Sequence, residues 1–245
     1  MHVHHGHMYR ELDPRQIVAT ADALGKRIGE RFPDSGLLRV SQELLAVAVA
    51  TEPRVERLRR PPWPIRTAAS ATLFVILAIV AAAVVSVKVR TDITGWADFF
   101  QGLDAAVNDL VFIGIAIFFL VTAENRLKRR RALRALQELR SIAHIIDMHQ
   151  LTKDPEHVLS PELSTASSPL RVMSRFELAR YLDYCSESLS VTSKLAALYV
   201  QCFNDPVVLS AVNDIESLTQ GLSVKIWQKI MILDLISAGV EPRTS

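Results

Sequence analysis

The sequence predicts an all-α protein in which a two-span transmembrane helical hairpin joins a cytoplasmic helical bundle built from the N- and C-terminal segments. Thr67–Val87 contains no charged residue, and Ala105–Ala123 contains a single one, Asp109. A helix needs about 20 apolar residues to cross a hydrocarbon layer about 30 Å thick, so each run is long enough to span it. Elsewhere leucine and alanine are frequent and aromatic residues make up only 7% of the chain, which favours helices over strands.

The predicted segments follow from these runs and from the polar ends of the chain. The N-terminus is polar and no early apolar run follows it, so we expect no cleavable signal peptide and insertion directed by the first span. The segments are a flexible His-rich terminus (1–12), cytoplasmic N-terminal helices (13–60), a first transmembrane helix (67–87), an extracytoplasmic loop with an amphipathic helix (88–104), a second transmembrane helix (105–123), a cytoplasmic helical bundle (124–239) and a flexible tail (240–245).

Basic residues flank the predicted hairpin, whereas the loop inside it carries only Lys88 and Arg90 against Asp92, Asp98 and Asp104. Because cytoplasmic loops of membrane proteins are enriched in Lys and Arg, both termini are predicted to lie in the cytoplasm of a multi-pass cell-membrane protein. The flanking basic residues are Arg54, Arg57, Arg59, Arg60 and Arg66 before the first span, and Arg126, Lys128, Arg129, Arg130, Arg131 and Arg134 after the second.

Two helices are predicted before the first span. Asp13 and Pro14 are typical of an N-cap followed by a proline in the first turn. Pro33–Gly36 breaks the pattern, and Thr51–Pro53 is predicted to be a cap or a kink. Apolar residues recur at helical spacing in both helices. They are Ile17, Ala21, Leu24, Ile28 and Phe32 in the first, and Leu37, Leu38, Leu44, Leu45 and Ala48 in the second.

The second span is predicted to continue as one helix from Ala105 to Gln150, with a coiled-coil-like seam after the membrane. Residues 152–173 are predicted to form an extended loop. Ser174 with Glu177 then forms a capping box, Asp205–Pro206 begins the last helix, and Gly239 ends it. The three apolar stripes are Ala132, Leu136, Leu139, Ala143 and Ile146; Leu178, Leu182, Cys185, Leu189, Ala196, Tyr199 and Phe203; and Val208, Val212, Ile215, Leu222, Ile226 and Leu233.

The loop before the second span contains the candidate pore residues. Trp96–Leu110 is predicted to be an amphipathic helix whose polar side carries Asp98, Asp104 and Asn108, with Asp109 adjacent to it. One interpretation is an interfacial helix with a solvated outer face. The other is that these residues form acidic rings at the outer mouth of a cation-selective pore in a symmetric oligomer.

Two further groups of residues suggest contacts in or beside the membrane. Small residues at helical spacing let helix backbones approach closely in lipid, either within one hairpin or between protomers. The basic run after the second span could hold anionic lipid headgroups, although topology alone accounts for its charge. The packing candidates are Ala78, Ala82, Ser86 and Gly114, and the headgroup candidates are Arg126, Lys128, Arg129, Arg130 and Arg131.

Metal-competent side chains occur in two places, but neither has the spacing of a metal motif. The first is an N-terminal group, which a tag or a loose terminus explains equally well. The second lies in a polar helix end, with no HExxH pattern. The residues are His2, His4, His5 and His7, then His144, Asp147, His149, Asp154 and His157. Cys185 and Cys202 are predicted to be packing residues, so we expect no metal, no cofactor and no enzyme activity.

These observations predict a non-enzymatic multi-pass membrane protein that acts as an oligomeric scaffold or signalling module through its cytoplasmic helical bundle. The alternative is a small homo-oligomeric cation channel whose pore is lined by the second span. The expected partners are the lipid bilayer, further copies of the chain and a cytoplasmic protein. Nucleic acid is not expected, because the net charge is only +2 and the basic residues lie beside the spans.

Overall fold

The computed structural model describes residues 11–59, 96–153, 155 and 173–237, with single positions 67, 70, 71, 73, 74, 76–78 and 81. The described residues are helical or lie in short connections, with no strand among them, which confirms the all-α class. Residues 1–10, Gly239, Asp154, His157 and most of the predicted loop 152–173 lie outside the described residues.

Helices with defined bounds are α1 (Pro14–Arg31), α2 (Gly36–Arg59), α3 (Trp96–Leu151), α4 (Arg175–Cys202) and α5 (Pro206–Ser237). The 56 residues of α3 include the predicted amphipathic helix, the second span and the seam beyond it. The prediction that one helix continues through these segments is therefore confirmed. The chain divides into two compact units, one of residues 60–130 and one of residues 1–59 with 131–245.

The predicted helix starts are confirmed by side chains that accept the free amides of the first turn. Asp13 Oδ1 accepts from the amide of Arg15 at 2.9 Å, and Asp205 Oδ1 accepts from the amide of Val207 at 3.0 Å. Ser174 Oγ accepts from the amide of Glu177, whose carboxylate accepts from the amide of Ser174 at 2.7 Å, so the capping box is complete.

Of the two interpretations of Thr51–Pro53, the structure corrects the cap, whereas the kink stays a prediction. Pro53 lies inside α2, which continues to Arg59, so the helix is not capped there. Proline cannot donate the backbone hydrogen bond of a helix interior, which disfavours this arrangement. Val55 and Leu58 are buried beyond Pro53, at 3% and 4% exposure, and their packing favours continuation of the helix.

The larger unit contains a helical bundle, as predicted, and its core is formed by α1, α2, the C-terminal part of α3, α4 and α5. The predicted apolar stripes are buried, except that Leu38, Leu45 and Phe203 are half-buried. In α4 burial extends beyond one stripe, because this helix packs against α1, α2 and α5. The additional buried residues of α4 are Tyr181, Tyr184, Ser188, Val191, Thr192, Leu195 and Leu198.

The contact between α1 and α4 combines apolar, aromatic and ionic interactions. The ring of Phe32 packs edge-on against Tyr181, with ring centroids 5.4 Å apart, and also against Tyr184. The two terminal guanidinium nitrogens of Arg27 donate to the Glu187 carboxylate, Nη2 at 2.5 Å and Nη1 at 3.2 Å. Such a two-point pair adds geometric specificity to a contact that apolar burial holds together.

The predicted transmembrane hairpin stays a prediction. Among the described residues, no helix has both the length and the mean hydropathy that a bilayer crossing requires. Most of the first predicted span, 67–87, lies outside the described residues, as do positions 88–95. The helical state of the second predicted span, which belongs to α3, is described throughout.

The capping box gives a direct test of the helical unit. We expect Ser174→Ala to lower the free energy of unfolding by about 0.5–2 kcal/mol, because an N-cap hydroxyl is lost and the amide of Glu177 loses its acceptor. Ser190→Ala, at an exposed position inside the same helix, is the control and should change stability by less than about 0.5 kcal/mol. Denaturant unfolding of the purified chain in mild detergent measures the free energy of unfolding of both variants. Equal effects of the two substitutions would contradict the assignment of Ser174 as the N-cap of α4.

Candidate functional site

The predicted pore-mouth residues all lie in α3. Asp104 and Asn108 are exposed and four positions apart, so they share one face of the helix. The backbone of Asp98 and Asp109 is helical, but their side chains are outside the described part. Beyond Asn108, Val111 at 53% exposure and Ile115 at 52% continue this face. The polar strip therefore changes into an apolar surface within one helical turn.

Large apolar side chains are exposed along the second predicted span. Phe112, Phe118 and Phe119 are each 70% exposed within α3. Clustered exposed apolar side chains are typical of surfaces that pack against another protein or against lipid. The packing candidates Ala78 and Gly114 are also exposed, and a Cβ atom added to Gly114 would have no heavy atom within 4 Å. Ala82 and Ser86 lie outside the described residues.

The predicted headgroup residues do not share one environment. Arg126 and Arg130 are exposed at positions four apart, on one face of α3. Lys128 pairs with Glu124 at 3.1 Å, and Arg129 is half-buried. Arg131 belongs to the larger unit, where it lines a cavity with residues of other helices. The basic run predicted as one group is therefore divided by the fold.

This arginine-lined cavity has a volume of about 280 Å³ and lies between α2, α3 and α4 of the larger unit. Each of α2 and α3 contributes two arginines three positions apart, above the small apolar floor of Leu58 and Ala135. The lining residues are Arg54, Arg57, Leu58, Arg131, Arg134, Ala135, Glu138 and Tyr199. We define this group as the arginine cavity. Its four guanidinium groups face one carboxylate, so the lining carries an excess of three positive charges.

One arginine of the cavity is held by protein groups. Arg54 Nη1 lies 2.5 Å from Glu138 Oε2, and the guanidinium also interacts with the Tyr199 hydroxyl. The bond to Glu138 is the main cause that raises the pKa of Arg54. Tyr199 is 1% exposed, and burial raises the pKa of its phenol. Arg54 therefore stays charged and Tyr199 stays a neutral hydrogen-bonding group at physiological pH.

The other three arginines of the cavity have no carboxylate partner among the residues that the structure describes. Arg57, Arg131 and Arg134 are exposed, and within the described part of the chain none of them forms an ion pair. Sequence reasoning assigned these charges to membrane topology and missed their convergence. The i, i+3 spacing of the arginines was visible, but their juxtaposition depends on how α2 packs beside α3.

A second cavity, of about 300 Å³, lies between α3 and α5. Its charged residues are Arg140 and Asp214, one of each sign, so the lining has no net charge. The remaining lining residues are Leu133, Leu136, Gln137, Ala211 and Ile215. This composition offers a shallow mixed surface and no group of convergent donors for an ion.

The metal-competent residues near the end of α3 do not converge. Asp147 Oδ1 accepts from the side-chain amide of Gln150 at 2.6 Å, whereas His144 is exposed. His149 lies against Gly36, where a Cβ atom would be 2.3 Å from the imidazole. Across the described ranges, no three His, Cys, Asp or Glu side chains come together as metal ligands would.

The two cysteines are free thiols in packing positions. Cys185 is buried in the core, and burial raises the pKa of its thiol to about 12. Cys202 is half-buried, and burial raises the pKa of this thiol as well. A thiol with a raised pKa is a weak nucleophile, since the thiolate is the reactive form.

The second half of α5 carries an apolar stripe on its outer face. Val224, Trp227, Met231 and Leu235 recur at spacings of three and four and are 44–59% exposed. Leu222, Ile226 and Leu233, on the opposite face, are buried in the core. We call these four exposed residues the outer stripe. Sequence reasoning missed the outer stripe, because it assigned only one apolar face to each helix.

No protein-family model matches this chain, and neither does any curated protein or solved structure with which it was compared. Any functional inference therefore depends on the two surfaces just described, the arginine cavity and the outer stripe.

The environment of His149 gives a pH-dependent prediction. Burial, with Arg39 and Lys153 nearby, holds the pKa of His149 below its ordinary value. The unfolded chain therefore binds a proton on this residue at a higher pH than the folded chain does. Stability is retained above about pH 6.5 and is lost as the pH falls through the window between the unfolded and folded pKa values.

We expect His149→Gln to remove this part of the pH dependence. The measurement is the free energy of unfolding of both proteins from pH 8 to pH 5, and the wild type should lose more stability than the variant over that range. If the free energies of unfolding of the two proteins changed in parallel with pH, His149 would not be the cause of this pH dependence.

Proposed function

We propose that this chain is a non-enzymatic multi-pass membrane protein that acts as an oligomeric scaffold or signalling module through its helical bundle. The observation that carries the proposal is the outer stripe of α5, which is apolar on the face opposite to the core. A helix that is apolar on both faces is normally covered on both. The outer stripe therefore calls for a further surface to pack against.

A second copy of the chain is the occupant that we propose for the outer stripe. The stripe is narrow and uncharged, and its spacing of three and four residues suits helix-on-helix packing. Two copies of the same stripe can meet across a twofold axis, which closes the assembly as a dimer. Trp227 and Met231 lie at its centre, and large side chains of this kind dominate the energetics of interfaces.

The proposed membrane location is supported by the two apolar runs of the sequence and by the exposed phenylalanines of α3. Phe112, Phe118 and Phe119 would face lipid, and the exposed Arg126 and Arg130 would follow at a cytoplasmic interface. In this arrangement α3 links the hairpin directly to the bundle. Assembly of the bundle would then bring the membrane segments of several copies together.

The outer stripe gives the principal test. We expect Trp227→Glu with Met231→Glu to convert the purified full chain in mild detergent from an oligomer to a monomer, measured by light scattering coupled to size-exclusion chromatography. Gln228→Glu, exposed on the same helix turn, adds a charge beside the stripe and should leave the oligomer intact. A monomeric wild type, or an oligomer that survives the double substitution with an unchanged helical spectrum, would contradict the proposal.

The membrane location has a separate test. Washing isolated membranes with alkaline carbonate removes peripheral proteins, and we expect the full chain to stay in the pellet because its two apolar runs would remain embedded in lipid. A bilayer protein that is known to span twice and a peripheral protein serve as the two controls. Release of the chain into the supernatant would refute the transmembrane hairpin and leave the outer stripe to be judged by the first test.

A further inference from the structure

The arginine cavity is the feature of the larger unit that neither the fold nor the proposed oligomer requires. Helical bundles are stabilised by apolar burial, and surface charges are usually spread to keep like charges apart. Here Arg57, Arg131 and Arg134 line one recess, and Glu138, the carboxylate of the described lining, is paired with Arg54 instead. Like charges close together repel one another, and a bound anion would offset that repulsion.

The remaining groups of the cavity define its shape and polarity. Glu138 and Tyr199 bond to the Arg54 guanidinium, so that it is less free to turn away from the cavity. Leu58 and Ala135 are 4% and 3% exposed and form an apolar floor. The volume of about 280 Å³ accommodates a small polyatomic anion together with part of the group that bears it.

Guanidinium groups have a specific preference among anions. Their planar fork of N–H donors matches two oxygens of a phosphate group, and several arginines around one recess can satisfy all of its non-bridging oxygens. A phosphate monoester carries up to two negative charges near neutral pH, which suits an excess of three positive charges better than a carboxylate does. The Tyr199 hydroxyl is already engaged, since it donates to Thr51 Oγ1 at 3.5 Å and bonds to Arg54, so it helps to hold that arginine.

We propose that the arginine cavity binds a phosphate monoester group, with Arg57, Arg131 and Arg134 as its direct ligands and Arg54 as the arginine that Glu138 and Tyr199 hold in position. The same chemistry is offered by a free phosphorylated small molecule and by the headgroup of an anionic lipid such as phosphatidic acid. This inference is independent of the proposed oligomer, because the outer stripe lies on α5 and the cavity on α2, α3 and α4.

The test uses the full chain in mild detergent and two kinds of probe. The soluble probes are inositol bisphosphate and inorganic phosphate, each titrated into the chain by calorimetry. Uncharged inositol is the negative control. The second kind is lipid nanodiscs of phosphatidylcholine with either phosphatidic acid, a monoester, or phosphatidylglycerol, a diester, read out as the melting temperature of the chain. We expect binding of the soluble phosphates, or a melting temperature that is higher with phosphatidic acid than with phosphatidylglycerol.

Matched variants distinguish a site from general attraction to positive charge. Arg57→Gln with Arg134→Gln should weaken binding by about tenfold or more, since two charge-assisted contacts are lost. Arg39→Gln with Arg140→Gln removes the same two charges from exposed positions of α2 and α3 outside the cavity, and should leave affinity within about twofold. Arg57→Lys with Arg134→Lys keeps the charge but not the planar fork, and should retain part of the affinity that the glutamine variant loses.

The possible outcomes separate the sources of the phosphate. We call Arg57→Gln with Arg134→Gln the cavity variant. Binding of inositol bisphosphate to the wild type that is lost in the cavity variant supports a free phosphorylated ligand. A selective effect of phosphatidic acid that is lost in the same variant supports a lipid headgroup. Equal weakening by the cavity variant and the Arg39/Arg140 variant overturns the proposal, as does the absence of any response of the wild type to all four phosphate probes.

Discussion

Burial of α4 on most of its surface is the constraint on which the rest of the larger unit depends. Its leucines at positions 182, 189, 195 and 198 are fully buried, and α1, α2 and α5 all pack against it. Two polar residues of α4 are also buried: Ser188 donates to the carbonyl of Tyr184, and Thr192 donates to the carbonyl of Ser188. Because their hydroxyls bond back to the preceding turn, they are buried without losing hydrogen bonds.

Residues of α4 also contact the charged side chains of its neighbouring helices. Glu187 of α4 fixes Arg27 of α1, and Tyr199 near the end of α4 closes the back of the arginine cavity. Arginines on the neighbouring helices α2 and α3 then have one recess in common, since their backbones are held by the packing of Leu58 and Ala135. The charge arrangement is thus a consequence of apolar burial. The arginines that the sequence predicts to flank the membrane spans line a single cavity in the folded unit.

The helix α3 has two kinds of surface along its length. Its early part exposes Phe112, Phe118 and Phe119, and its later part buries Ala132, Leu139 and Ile146 in the core. No helix break separates them, because residues 124–151 contain neither glycine nor proline. In the proposed function this continuity would couple the membrane segment to the bundle. The outer stripe of α5 would then decide how many copies act together.

Local sequence determined most of the secondary structure. Asp13, Ser174 and Asp205 cap their helices through contacts within three residues, and the apolar stripes have the helical period, so both were predictable from neighbouring positions. The continuation of α2 through Pro53 was not predictable in this way, because burial of Val55 and Leu58 by other helices outweighs a local preference. The chain's apolar runs also predict a membrane hairpin from composition alone. The arginine cavity and the outer stripe were decided by tertiary structure: which arginines meet, and which apolar face stays exposed, depends on contacts between residues far apart in the chain.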